Sequence, residues 1–215
     1  MIELLNMDCM DYLRDCEDDA FDLAIVDPPY GIGVDGQKET ANKERNPKQN
    51  RKHHEHKGWD SEIPDSNYFR QLERVSGNQI IWGGNYFVEH LRKGHKGWVY
   101  WDKGQDGLTM SDGELAYSSF DRPLRRYVMN RCRLNQEGAG TIHPTQKPIH
   151  LYDWLLSNYA KEGDRILDTH LGSGSSAIAA HYGQFDFVGI EIDEDYFNAA
   201  KARFEAETAQ LDIFG

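Results

Sequence analysis

Residues 165–192 read RILDTHLGSGSSAIAAHYGQFDFVGIEI. Arg165 to Thr169 predicts a strand, and Gly172-Ser173-Gly174 a turn into a helix that continues through Ala180. Phe185 to Ile192 reads as the next strand. Glycines in such a turn let the backbone approach a ligand, and the helix start presents N–H groups without intrahelical partners. Glu191 follows Gly172 by 19 residues, at a strand end, where a carboxylate suits ribose hydroxyls. Outward from this stretch, Ile149 to Ala160 is an amphipathic helix. Asp193-Glu194-Asp195 bring negative charge to the start of a helix ending near Ala209, where the dipole favours it. Strands alternating with helices predict an α/β fold with a mainly parallel sheet and helices on both faces. The glycine spacing lacks the third glycine of the dinucleotide fingerprint, and this half alone also suits a dinucleotide dehydrogenase.

The first half carries a different signal. Ile2 to Leu5 reads as a strand, Asp8 to Cys16 as a helix, and Asp22 to Val26 as a strand apolar on both faces. That strand stops at Asp27-Pro28-Pro29-Tyr30: a carboxylate, two residues without N–H groups, and an aromatic ring. Such a loop suits a flat, amino-bearing ring better than a phosphate, a metal or a peptide. Gly36 to Asp60 is almost free of apolar residues and is expected to be a flexible basic loop. Its His53, His54 and His56 lack a second ligand cluster, and no metal site is expected. Ser66 to Val75 and Tyr86 to Arg92 read as helices, and Gln79 to Trp82, Trp98 to Trp101 and Leu115 to Phe120 as strands. Trp82, Trp98 and Trp101 are expected in the core.

Length and composition bound the alternatives. The 215 residues suit one domain with a substantial core, and no run of about 18 apolar residues suggests a membrane span. The start of the chain lacks a signal-peptide profile, and three cysteines without metal spacing suit reduced thiols, so a cytoplasmic location is expected. The net charge of −12 is unevenly distributed. Residues 36–60 carry 7 basic and 4 acidic side chains, and residues 90–150 carry 10 and 6. Both segments follow the Asp27 loop, where a phosphate-binding rim would sit.

The order Asp27-Pro28-Pro29-Tyr30, His143-Pro144-Thr145-Gln146-Lys147-Pro148, Asp168 to Ser175, then Gly189-Ile190-Glu191 resembles the DNA amino-methyltransferases. These enzymes use S-adenosylmethionine to methylate exocyclic amines of DNA bases. The chain looks like their permuted β group, of bacterial or phage type, in which the catalytic loop precedes the cofactor loop. The resemblance implies a Rossmann-like sheet in circularly permuted order. It implies that Asp27 and the Pro28 carbonyl accept the N–H bonds of the target amine, and that Tyr30 stacks on a base flipped from the duplex, with Pro29 fixing the turn. It puts Glu191 on the cofactor ribose, Asp168 at the methionine amine, Thr145 and Lys147 at the methionine carboxylate, and Asp8 at the cofactor's adenine amine. Gly172, Ser173, Gly174 and Ser175 form the loop around it. At His170 many relatives carry Phe; a histidine there can pack over the methionine end and could also titrate near neutral pH, and it is read as a contact residue, not as a base.

Asp27 rather than Ser at the first catalytic position favours adenine N6 over cytosine N4. Cytosine N4, an RNA base, or an idle nucleic-acid-binding module remain as alternatives. The chain divides into a catalytic half (1–101), a short recognition region (102–142), a cofactor half (143–209) and a tail (210–215). Lys48, Arg51, Lys52, Arg122, Arg125 and Arg126 are candidate DNA contacts, with Arg131 and Arg133 extending the run. So small a recognition region predicts a short or relaxed target sequence. The tail residues Gln210, Leu211, Ile213 and Phe214 resemble the pentapeptide by which bacterial proteins dock on the replication sliding clamp. A monomer or a homodimer is compatible with all of this.

Overall fold

The computed structural model describes residues 1–34, 57–58, 60–104, 111–129, 142–143 and 145–209. In chain order the elements are β1 (Ile2–Asn6), α1 (Cys9–Asp15), β2 (Phe21–Val26), α2 (Ser66–Val75), β3 (Ser76–Trp82), β4 (Trp98–Asp102), β5 (Gly113–Ser118) and β6 (Arg125–Val128). There follow α3 (Ile149–Tyr159), β7 (Arg165–Asp168), α4 (Ser175–Tyr182), β8 (Asp186–Glu191) and α5 (Glu194–Ala209). The strands form one sheet in the order β1-β8-β7-β2-β3-β5-β4-β6. Strands β1, β8, β7, β2 and β3 are mutually parallel, and β5 runs against both its neighbours.

Alternation along the strands feeds two cores. Leu23, Ile25, Ile80, Trp82 and Ile166 face one side with Leu151, Leu155 and Ala177 of α3 and α4. Ala24, Val26, Ile81 and Leu167 face the other with Leu13, Phe69, Leu72 and Val75 of α1 and α2. Because the strands are buried on both faces, they read as continuous apolar runs. Trp82 and Trp101 are fully buried and meet edge to face, as expected of core residues. Side chains close the helix starts: Asp65 accepts from Asn67 and Tyr68 N–H at α2, and Asp193 accepts from Tyr196 N–H at α5.

The chain leaves β7 toward β8 and leaves β2 toward β3, in opposite directions along the sheet. A crevice therefore opens at the carboxyl ends of the adjacent strands β7 and β2, the usual ligand position of an open α/β sheet. Asp168 ends β7, and Asp27 directly follows β2.

Two expectations change. Tyr86 to Arg92 is not a helix; a 3₁₀ turn over Gly84–Tyr86 and further turns replace it, with Tyr86 N–H donating to the Gly83 carbonyl and His90 N–H to Phe87. Gly83 is fixed at φ +70°, where a Cβ would stand 2.3 Å from the Tyr30 ring, so contact with the Asp27–Tyr30 loop sets this backbone. Arg125–Val128, read as part of a basic recognition run, is an edge strand parallel to β4. With β5, it places ten of residues 102–142 in the sheet.

Candidate active site

The Asp27 loop is held by charge. Oδ1 of Asp27 accepts the Tyr30 hydroxyl at 2.5 Å, and Oδ2 accepts the Lys147 ammonium. Lys147 is 3% exposed and also lies 3.2 Å from Glu114 Oε2, while Lys103 donates to Glu114 Oε1 at 2.5 Å. Positive and negative charges thus alternate from Lys103 through Glu114 and Lys147 to Asp27. Burial pushes the Asp27 carboxyl up, against the pull of the Lys147 ammonium. Burial alone would lower Lys147, but the carboxylates of Asp27 and Glu114 outweigh it and raise it. Glu114, buried between two ammonium groups, is held at about 2 despite its burial.

Lys147 was expected at the methionine carboxylate. Its ammonium instead faces Asp27 and Glu114, and lies 5.2 Å from the Trp82 ring centre. A buried cation goes where buried carboxylates are, and two are within reach. Tyr30, expected to stack on a base, packs one face on the half-exposed ring of Tyr86, with ring centres 5.1 Å apart and planes 17° apart. Pro28 is buried and Pro29 half-buried in the same turn.

The second half of the site surrounds the Gly172 loop. Gly172 and Gly174 have φ +52° and +75°, and Gly172 N–H donates to Glu191 Oε2 at 2.9 Å. Glu191 Oε1 accepts Asp193 N–H at 3.0 Å. Ser173 and Ser175 hydroxyls pair at 3.1 Å, and Ser175 donates to the Lys147 carbonyl at 2.8 Å, which ties the two halves. Arg203 of α5 donates to the Ser173 carbonyl and to Ser175 Oγ, both at 2.9 Å, a support with no sequence signal. Thr145 Oγ1 lies 3.0 Å from His143 Nδ1, and the His143 ring packs on Tyr196 beside Gly172. Asp8 caps α1 through Met10 N–H, next to the β1–β8 strand ends.

Asp168 is 1% exposed and accepts Ser176 Oγ at 2.6 Å and His170 N–H at 3.0 Å. Burial raises its carboxyl to about 7, with Asp27 and Glu191 adding to the rise. Burial also raises Glu191. His170 is driven down to about 4 by burial, so it is neutral at physiological pH and does not titrate there. Its ring stands edge-on to Tyr68, whose hydroxyl lies 2.7 Å from Thr169 Oγ1.

The expected DNA contacts separate. Arg122 donates to the Asn158 carbonyl at 2.6 Å and lies over the Phe120 and Tyr159 rings. The reversed direction of β5 delivers it to the end of the sheet opposite Asp27, so it is not on the rim of this site. Arg126 pairs with Asp102 at 2.6 Å, and Arg125 is exposed on the same edge strand. Lys48, Arg51, Lys52, Arg131 and Arg133, the three histidines 53, 54 and 56, and tail residues Gln210, Leu211, Ile213 and Phe214 lie outside the described residues.

A family model described as DNA methylase matches residues 81–202. The chain belongs to the N6/N4 DNA methylase family. Type II methyltransferase M2.DpnII of Streptococcus pneumoniae is 42% identical over 65 residues, which are 30% of this chain and 24% of that protein. Type II methyltransferase M.HpaI of Haemophilus parainfluenzae is 24% identical over 91% of this chain and 71% of its own length. The fold matches the crystal structure of an M1.HpyAVI–SAM complex with a TM-score of 0.60 at 18% identity, covering 94% of this chain and all of that one.

The family is S-adenosylmethionine-dependent, and the residues here fit that group. Asp168 and Glu191 are buried carboxylates whose partners among the described residues are N–H groups and a hydroxyl. A cationic ligand with a ribose diol would offset both.

Proposed function

We propose that this protein is a DNA methyltransferase that methylates N6 of an adenine flipped out of the duplex. When bound, S-adenosylmethionine supplies an activated methyl group on a sulfonium centre. Asp27 carries the reading: a carboxylate at the switch point, one strand from Asp168, whose ionised form the buried Lys147 favours. The amino lone pair of adenine is delocalised into the ring and attacks poorly. Asp27 and the Pro28 carbonyl would accept its two N–H bonds and draw the nitrogen toward tetrahedral geometry, by positioning and electrostatics without a covalent enzyme intermediate. Asp168 would take the methionine ammonium, Glu191 the ribose and Asp8 the cofactor's adenine amine, with Thr145, His170 and the Gly172–Ser175 loop around them. Aspartate rather than serine at position 27 supports adenine over cytosine.

Strands β5 and β6 take ten of residues 102–142, and so small a remaining segment supports a short or relaxed target sequence. The tail beginning at Gln210 is proposed to dock on the sliding clamp and so raise the local DNA concentration. A synthetic tail peptide showing no clamp binding at high micromolar concentration removes that part.

The deciding experiment incubates the protein with labelled cofactor and either DNA or RNA, then identifies the modified nucleoside by mass spectrometry. N6-methyladenine in DNA is expected, and Asp27→Ala should reduce its formation on the order of 10²–10³-fold. N4-methylcytosine, label in RNA alone, or an Asp27→Ala variant that retains full activity each defeats the reading.

A further inference from the structure

The carboxylate of Asp60, 2% exposed, gathers the backbone that follows the catalytic prolines. Its Oδ1 accepts the N–H groups of Tyr30 and Gly31, and its Oδ2 accepts that of Val34, all at 2.8 Å. The Asp60 carbonyl also accepts Gly33 N–H at 3.2 Å. One residue therefore satisfies four donors of a five-residue stretch that starts at the catalytic tyrosine. Buried N–H groups of an irregular loop need such acceptors, and a carboxylate makes the stronger kind of bond.

The second anchor of this segment lies three residues upstream. Lys57 donates to both oxygens of Asp193 at 2.7 and 2.8 Å and to Asp195 at 2.7 Å. Asp193 is the residue whose N–H meets Glu191 in the cofactor half. Lys57 fastens the segment to the end of β8, and Asp60 fastens it to the loop after β2. A tether of three residues spans about 10 Å at most, so fixing both ends limits how far the two loops can drift apart.

We propose that Asp60 is a positioning residue for methyl transfer, holding Asp27, Pro28 and Tyr30 in register with the cofactor loop. In-line transfer tolerates little misalignment, and a displacement of about 1 Å can cost on the order of 10²-fold in rate. The role rests on the reading of this site as a methyltransferase centre. It adds a residue that contacts neither the target base nor the cofactor.

The test compares Asp60→Asn with the wild type in the full chain. The substitution keeps the size of the side chain but turns one acceptor into a donor that opposes a backbone N–H. Single-turnover transfer to DNA should slow at least tenfold, while the Kd for S-adenosylmethionine stays within twofold. Hydrogen exchange should quicken in a peptide covering residues 27–34 and stay unchanged over β7 and β8. An unchanged rate overturns the proposal, and so does a cofactor Kd that rises by the factor the rate falls. Should the variant not fold, exchange at the Tyr30, Gly31 and Val34 amides of the wild type decides: slow exchange supports the anchor and exposed-loop rates overturn it. A wild-type protein that methylates no nucleic acid would fail the functional reading itself, and the exchange data would still report on the anchor.

Discussion

The two halves of the site treat buried carboxylates in opposite ways. At the end of β2, Asp27 and Glu114 are matched by the ammonium groups of Lys147 and Lys103, so the cluster is neutral as it stands. One and two strands away, Asp168 and Glu191 are met by backbone N–H groups and a serine hydroxyl. On the proposed reading, the difference follows from what each half would handle. The target base is neutral, so its acceptor must be held in place by the protein's own cations. The cofactor is cationic, so its carboxylates can wait for the charge it brings. Burial, with no cation beside it among the described residues, raises Asp168 to about 7.

Removing the cation from the catalytic half should have the largest effect. Lys147→Met leaves Glu114 with Lys103 but strips Asp27 of its ammonium partner. Breaking a buried pair by removing one partner costs about 3–5 kcal/mol, a fall in Tm of roughly 6–20 °C for a chain of this size. Transfer should fall on the order of 10²-fold as Asp27 takes up a proton. Adding Asp27→Asn should restore much of the Tm but not the rate, because the carboxylate left unpaired is then neutral while Glu114 keeps Lys103. Thermal melts and single-turnover rates of the two variants check this. A Lys147→Met protein as stable as the wild type would erase the contrast between the halves.

The cofactor half should respond to pH instead. Asp168 has a folded pKa near 7, above the ordinary carboxylate range. Ionising it therefore opposes folding of the cofactor-free protein as pH rises from about 4 to 7. A cationic ligand reverses that preference. Cofactor Kd should rise about tenfold from pH 8 to pH 6, since the ionised fraction falls by that factor. Calorimetry at the two pH values measures it directly. Asp168→Asn should bind weakly at both values and lose the dependence. His170→Phe should keep it, because that imidazole is held near 4 and is already neutral across this window.

These contrasts also mark what the chain discloses on reading. Runs such as Phe21–Val26 and Arg165–Asp168, and the glycines of the Gly172 loop, carry their meaning locally. Apolar continuity and turn chemistry placed them correctly, as they did Asp27, Asp168 and Glu191 at the ends of adjacent strands. The supports are nonlocal and have no period. Lys147 meets Asp27 across 120 residues, and Asp60 meets Tyr30 across 30. Lys147 was therefore read with its neighbours in sequence and assigned to the cofactor. Arg122 failed for a related reason: a contiguous basic run was taken for a contiguous surface, whereas reversal at β5 carries it to the far end of the sheet.

The smallest effect is expected at Tyr30, where ring and hydroxyl have separable tasks. The hydroxyl donates to Asp27 Oδ1, an oxygen that a target amine would need. Burial and the nearby Asp27 and Glu114 carboxylates hold this phenol well above its usual range, so it stays a donor and competes with substrate. Tyr30→Phe removes the competitor and keeps an aromatic ring against Tyr86. The lost bond to a charged acceptor is worth about 1.5–3 kcal/mol at most, and one acceptor position is gained for the base. The two changes oppose each other, so kcat/KM should stay within about threefold of the wild type, with stability slightly reduced. Tyr30→Ala removes the ring as well and should lose on the order of tenfold or more, from stacking worth about 1–3 kcal/mol per base. A large loss in Tyr30→Phe would mean that the hydroxyl acts in transfer, and Asp27 could then no longer be treated as a preformed acceptor set apart from the waiting carboxylates of the cofactor half.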